Sequence, residues 1–337
     1  MTETKTKTKE EIIFNYETNM VTFPGKSPKP FERISYSSKS TLHQCPAKFY
    51  WSDVRKISPS VGSSAMRFGS VFHTLLDRYY KLIQLNGWKH REQAIIGALE
   101  GLNIAWEEAT GKQYFHEDHR TKENVVHLFL SYLEHWIQDV NNLEILNTEI
   151  YYRIRIEPTE EELELFPEIR NVELFITGIR DLRVREYGNL WVYEHKTTGS
   201  WIQQIKKTLS RSPQILNYDW IESLLHPEDP LEGVMVNIAH FSQYHKKDGS
   251  YGAIKMEFDR TPQIFTKKDI LEHRKRTIEQ MNEIIMRKRL NLWTQETESC
   301  FLFNSSCEYL SLCEQHRDLD KTNTDNFIKR KERTQQI

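Results

Sequence analysis

Two carboxylates and an ammonium stand close together in the middle of this sequence. Asp181 ends the run Phe175-Ile176-Thr177-Gly178-Ile179-Arg180-Asp181, and Glu194 and Lys196 lie in Glu194-His195-Lys196-Thr197. Between them, Glu186-Tyr187-Gly188-Asn189 is a hairpin turn signal flanked by β-forming residues. Pairing outward from Tyr187 and Gly188 puts Asp181 opposite Glu194. Side chains alternate along a strand, so Glu194 and Lys196 share a face. Like charges facing each other across strands repel, and the pair calls for a cation, a shared proton or a kink. A hard divalent ion binds oxygen ligands and leaves positions for water and phosphate. A lysine beside it can hold an attacking water or balance charge on a phosphorane-like transition state. The same three residues would also make an ordinary salt bridge on a surface hairpin.

The chain that must position them has 337 residues, 28% of them charged, and a formal net charge of −2. That length suits one large domain or two smaller ones. No apolar run approaches the ~18 residues of a membrane span, and the opening MTETKTKTKEE has no signal-peptide core. A cytoplasmic setting without membrane contact is expected, and disulfides are rare there. The near-neutral charge excludes a global basic field but allows a local basic groove. No GxxxxGK[ST] phosphate loop is present, so ATP-driven unwinding would need a partner. The four cysteines, Cys45, Cys300, Cys307 and Cys313, are buried thiols or metal ligands in a reducing compartment.

Hydrophobic spacing gives an α/β chain. Residues 1–30 read as a polar tail. Residues 31–140 read as mainly helical, with Ser38 or Ser40 as cap of a short first helix. A helix from about Ala65 to Leu85 puts Gly69 and His73 on one face. His116 and His119 fall in a polar connector expected to be solvated. Residues 145–260 carry the sheet, opening with a strand from Leu146 to Ile156 that has Glu149 near its start. Ser212-Pro213 starts a helix carrying Gln214 and Tyr218 at i and i+4. Thr266 and Asp269 resemble a capping box at the head of a basic helix over 265–292, whose charge is either a solvated face or the wall of a channel. The cysteine segment 300–313 follows, and 316–337 reads as a second polar tail.

Gly178-Ile179-Arg180-Asp181 with Glu194-His195-Lys196 resembles the core of the PD-(D/E)XK nucleases. More narrowly it is similar to the RecB-like exonuclease branch, which includes phage and CRISPR-associated exonucleases. Cys45-Pro46, Gly69-x-x-x-His73, Gln214-x-x-x-Tyr218 and the three late cysteines follow that branch's order, over roughly residues 35–315. The resemblance implies a restriction-endonuclease-like core, a mixed central β-sheet flanked by helices, in a single domain over 31–315. An N-terminal helical region and a cysteine cap closing on Cys45 would complete it. It implies Mg2+ or Mn2+ held by Asp181, Glu194, His73 and the His195 carbonyl, with Lys196 at the attacking water. Gln214 and Tyr218 would position the DNA, and products would carry a 5′-phosphate. It also implies a [4Fe–4S] cluster on Cys45, Cys300, Cys307 and Cys313. The six residues between Cys300 and Cys307 depart from the branch's usual two, and four thiolates also suit Zn2+. The implied substrate is DNA, single-stranded or at duplex ends, with a helicase or recombination protein as partner. The alternatives are a non-cleaving DNA-binding or assembly module and a structure-specific endonuclease.

Overall fold

The structure is a computed structural model that describes residues 12–16, 18–60, 63–110, 119–246, 250–302, 305–315 and 327–329. The chain divides into two compact units, each woven from three segments. One holds residues 56–151, 179–273 and 318–337; the other holds 1–55, 152–178 and 274–317.

The first unit carries the acidic residues. Its longest helix, α1 (Ser64–Asn86), starts where the Ser63 hydroxyl accepts the Met66 N–H, and it stops at Gly87 with φ +80°. Phe68, Val71, Phe72, Leu75, Leu76 and Tyr79 recur every three or four residues and are buried, as an amphipathic helix requires. Helix α2 (Lys122–His135) adds Val125, Leu128, Phe129 and Tyr132 to the same core. Strand β1 (Leu143–Ile156) is kinked at Glu149, whose φ is +43°. Strands β2 (Glu173–Glu186) and β3 (Asn189–Thr198) form the hairpin. Tyr187 (φ +50°) and Gly188 (φ +86°) both take the left-handed conformation of a type I′ turn. The ladder runs from Glu186 opposite Asn189 to Leu182 opposite Tyr193. It stops there, one step short of Asp181 and Glu194. Helix α3 (Pro213–Leu225) then leads to β4 (Gly233–His245) and β5 (Tyr251–Gln263). Strand β3 pairs with β4 in parallel, while β2–β3 and β4–β5 are antiparallel. The central sheet is therefore mixed and flanked by helices, as the sequence led one to expect. Central strands covered on both faces lose clean alternation, and Val192, Tyr193, Glu194 and His195 are all buried.

The other unit corrects several expectations. The supposed lead-in holds strands Ile13–Asn15 and Met20–Thr22, followed by Lys29–Ile34. The alternation of Phe14, Tyr16, Val21 and Phe23 is the cause: Phe14 meets Phe31 and Phe175 edge-on at 5.4 and 5.1 Å. Residues 1–11 lie outside the described residues. Ser35, not Ser38 or Ser40, caps the helix Tyr36–Gln44, because its hydroxyl accepts the Ser38 N–H. In the first unit, the capping box at Thr266 and Asp269 forms with reciprocal bonds of 2.8 and 3.2 Å. Several cations of the basic helix Lys267–Leu290 are held in ion pairs: Arg274 with Glu162, Arg287 with Glu283, Lys288 with Glu32, and Arg289 with Glu168. In the first unit, the expected C-terminal tail contributes a strand, Phe327–Lys329, pairing with Ile57–Pro59. Residues 316–326 and 330–337 lie outside the described residues. No helix among the described residues is long and apolar enough to cross a membrane.

Candidate active site

Where the β2–β3 ladder opens, the Asp181 carboxylate takes over from the missing backbone bonds. Its Oδ2 accepts the His195 N–H at 2.8 Å and lies 3.5 Å from His73 Nδ1. The kink in β1 brings Glu149 to the same point. His73, Glu149 and Asp181 each offer one ligand atom within 4.8 Å of the other two. Burial alone would lower His73, but the Asp181 carboxylate outweighs it and raises the imidazole to about 9. Burial works against ionised Asp181, yet the charge and hydrogen bond of His73 hold it below its ordinary value.

Glu194 is almost fully buried. Burial first, and the Asp181 charge second, raise it to about 7. Its Oε1 accepts from Lys196 Nζ at 3.0 Å and from Gln214 Nε2 at 2.6 Å. Its Oε2 is buried without a hydrogen-bond partner, an orphan that a cation would satisfy. Lys196 Nζ also donates to Gln214 Oε1 at 2.8 Å. The Tyr218 hydroxyl donates to the Ile179 carbonyl at 3.1 Å and accepts from Gln214 Nε2 at 3.3 Å. Gln214 and Tyr218 thus bond to the site's own strands. Two neighbouring carboxylates with oppositely shifted acidities are the usual mark of a divided acid/base or metal-binding role.

Buried ion pairs fix this arrangement from behind. Glu222 on α3 pairs with Arg180 and, at 3.0 Å, with Arg183 on β2. That lashes the helix of Gln214 and Tyr218 to the strand of Asp181. Arg260 on β5 forms a bidentate pair with Asp139 at 2.6 Å and donates to Asn237. The His195 ring stacks 6.0 Å from Tyr80 and meets Tyr132 and His73 edge-on, and burial pushes its imidazole down to about 3. His119 is not solvated: its ring stacks on Phe241 at 5.5 Å. His116 lies outside the described residues. Sequence reasoning noted Glu149 only as an acidic residue at a place that helps the site in some members of the resembled family, and it missed Glu222 altogether. Glu222 carried a signal, a lone carboxylate inside Trp220-Ile221-Glu222-Ser223-Leu224-Leu225; the Glu149 kink carried none.

In the other unit, Cys45, Cys300, Cys307 and Cys313 are free thiols lining one small cavity with Lys48 and Tyr309. The Cys307 N–H donates to the Cys300 carbonyl at 2.7 Å, and burial raises the Cys313 thiol to about 11. Among the described residues, no three of these sulfurs lie within 4.8 Å of one another. A tetrahedral zinc with bonds of about 2.3 Å would need its sulfurs roughly 3.8 Å apart.

The sequence model of the PD-(D/E)XK nuclease superfamily matches residues 33–314. The chain belongs to the PD-(D/E)XK nuclease superfamily. Membership implies a metal-dependent nuclease, with DNA as the substrate class. No curated protein matches the chain. Among solved structures, the crystal structure of SSO0001 is 13% identical over 71% of this chain and 82% of that one, with a TM-score of 0.28. Protein VC1899 from Vibrio cholerae is 11% identical over 65% and 57%, with a TM-score of 0.17. Superpositions this loose carry no weight. For a PD-(D/E)XK nuclease, the His73–Glu149–Asp181 triad and the orphaned Glu194 oxygen fit a divalent ion.

Proposed function

We propose that this PD-(D/E)XK nuclease is a RecB-like exonuclease that hydrolyses DNA with Mg2+ or Mn2+. The observation that carries the reading is the ammonium of Lys196, shared between Glu194 and Gln214 beside the His73–Glu149–Asp181 triad. Pure binding needs no such set. His73, Glu149, Asp181 and Glu194 would hold the ion, with the His195 carbonyl as a further ligand. Bound there, the ion supplies Lewis acidity and a nucleophile usable at neutral pH. Lys196 turns an N–H toward the attacking water and balances the charge that grows on the phosphate. Gln214 keeps Lys196 in place, and Tyr218 holds the Ile179 carbonyl two residues before Asp181; we assign both to positioning. A nitrogen ligand in an oxygen-rich set suits Mn2+ better than Mg2+, which demands a near-ideal oxygen octahedron.

We further infer that Cys45, Cys300, Cys307 and Cys313 hold a [4Fe–4S] cluster, a reading supported by the one cavity they share, with Zn2+ as the alternative. The cluster would be structural, stapling the start and end of its unit.

The deciding experiment incubates the purified chain with end-labelled linear and closed circular DNA, with Mn2+ or Mg2+ and with EDTA. Stepwise loss of linear DNA, an intact circle, and inhibition by EDTA are expected. Lys196→Ala should abolish cleavage yet bind DNA as before. Cutting of the circle would overturn the exonuclease assignment, and full activity of Lys196→Ala would overturn the site.

A further inference from the structure

Trp201 lies five residues beyond Lys196 and is 70% exposed, unusual for the largest apolar side chain. Its exposure is built rather than incidental. The Ser200 N–H donates to the Thr198 hydroxyl at 2.9 Å, and the Ser200 carbonyl bonds the ring of His240 at 2.9 Å. His240 is itself buried and held by Ser242 at 2.8 Å. The residue before the tryptophan is therefore pinned from both sides. The helix Ile202–Leu209 that follows is tied down by Lys206, which bonds Asp259 at 3.0 Å. Lys255 Nζ sits 4.9 Å from the indole centroid while also pairing with Glu257 at 2.7 Å. One indole face is thus covered by a cation, and most of the ring remains open.

The register fixes where this ring stands relative to the chemistry. Lys196 is in row with Ile238 and Asp259, Thr198 with His240 and Glu257, and Ser242 with Lys255. Side chains two apart share a sheet face. Lys255, and the indole over it, therefore occupy the face of Lys196, two rows further on. At about 3.3 Å per residue that is about 13 Å along the strands, a span of a few nucleotides for a bound strand.

We propose that Trp201 is a stacking platform for an unpaired base of the DNA strand entering the Asp181–Lys196 site. The inference rests on the nuclease reading above and adds to it a preference for single-stranded DNA. An indole with an ammonium beneath it recognises any base by its π-face, without sequence readout. Every base has that face, as an enzyme shortening arbitrary strands requires. A duplex end keeps its bases paired and stacked on each other, so only an unpaired strand can use the platform.

The test measures binding of a fluorescein-labelled single-stranded oligonucleotide to the full chain in EDTA, where no cleavage intervenes. Trp201→Ala should bind about tenfold more weakly, the loss of one base stack, and Trp201→Phe should recover most of that. Tyr187→Ala, which removes an indifferent exposed aromatic from the far end of the hairpin, should bind like the parent. A single abasic site scanned through the first five nucleotides should weaken the parent at one position and leave Trp201→Ala unaffected there. Equal affinity of Trp201→Ala and the parent, or an abasic penalty that persists in the variant, overturns the proposal. The two readings fail separately. Trp201-dependent binding without any Mn2+-dependent cleavage sinks only the nuclease assignment. Cleavage with binding indifferent to Trp201 sinks only this one.

Discussion

A Cβ placed on Gly69 would stand 2.7 Å from Thr197 Oγ1. The helix that carries His73 therefore rests on the strand that carries Lys196 with no room for a methyl group. The nearest atom behind that hydroxyl is Thr197 Cβ at 4.0 Å, an ordinary contact. Gly69→Ala gains helix propensity but forces either the hydroxyl or the helix aside. A shift approaching 1 Å at a catalytic constellation costs up to about 10²-fold in rate, and the flexibility of a threonine hydroxyl brings the expected loss to about tenfold. Adding Thr197→Ala removes the clashing atom and should restore activity, whereas Thr197→Val, which keeps a γ-methyl, should not. Steady-state rates on single-stranded DNA check this, and an unimpaired Gly69→Ala would mean that the close approach is irrelevant to His73.

Glu149 reaches the triad only through its left-handed backbone, φ +43°. Such a conformation in a non-glycine residue costs roughly 1 kcal/mol or more and gathers at functional sites. If the kink exists to aim a ligand, Glu149→Gln should weaken Mn2+ binding about tenfold or more, in company with Asp181→Asn, while leaving the melting temperature of the metal-free protein nearly unchanged. Titration of Mn2+ by electron paramagnetic resonance reads the affinity directly. An unaltered dissociation constant for Glu149→Gln would remove it from the ion's shell.

The hairpin was legible because local rules specify it: a turn sequence with Gly188 sets the register, and the register alone put Asp181 opposite Glu194. Gln214 and Tyr218 were legible as one helical face, but not their bonds within the site. Their bonds to Glu194, Lys196 and Ile179 depend on how α3 lies on the sheet, and Glu222 fixes that with two arginines from β2. Such buried pairs join residues about 40 positions apart, beyond any periodicity. The ion partners of the basic helix, Glu32, Glu162 and Glu168, were illegible for a related reason, since they are far away in sequence. At the N-terminus, proline and lysine content masked the alternation of Phe14, Tyr16, Val21 and Phe23 that makes strands.

The cysteine cavity separates three outcomes by spectrum and metal content. Purified without oxygen, the chain should carry about four irons and a broad absorbance near ~400 nm. Cys307→Ser should lose both and melt at a lower temperature, because the bridge between Cys45 and the 300–313 segment is gone. One zinc per chain and no colour would replace the cluster with a tetrahedral site. No metal in either form, with an unchanged melting point for Cys307→Ser, would leave four thiols without a ligand.

Lys39 supplies a test by pH. It is buried in its helix, donates to Thr277 Oγ1 at 3.0 Å, and is pulled down to about 7 by burial first and by the nearby charge of Arg276 second. In the unfolded chain a lysine keeps its proton to about 10.4. Between those values the unfolded state binds more protons than the folded one, so folding stability must rise with pH across that window. Below about 7 both states hold the proton and the penalty for a buried charge is complete and constant. Lys39→Met keeps the volume and removes the charge. It removes the bond to the Thr277 hydroxyl, a loss of about 1 kcal/mol that does not depend on pH. The variant should therefore be more stable than the parent at pH 6.5, by several degrees in melting temperature, and that advantage should shrink as pH approaches 9.5. Thermal melts of both proteins at the two pH values decide it: an equal gap at each would mean that Lys39 does not titrate within the fold.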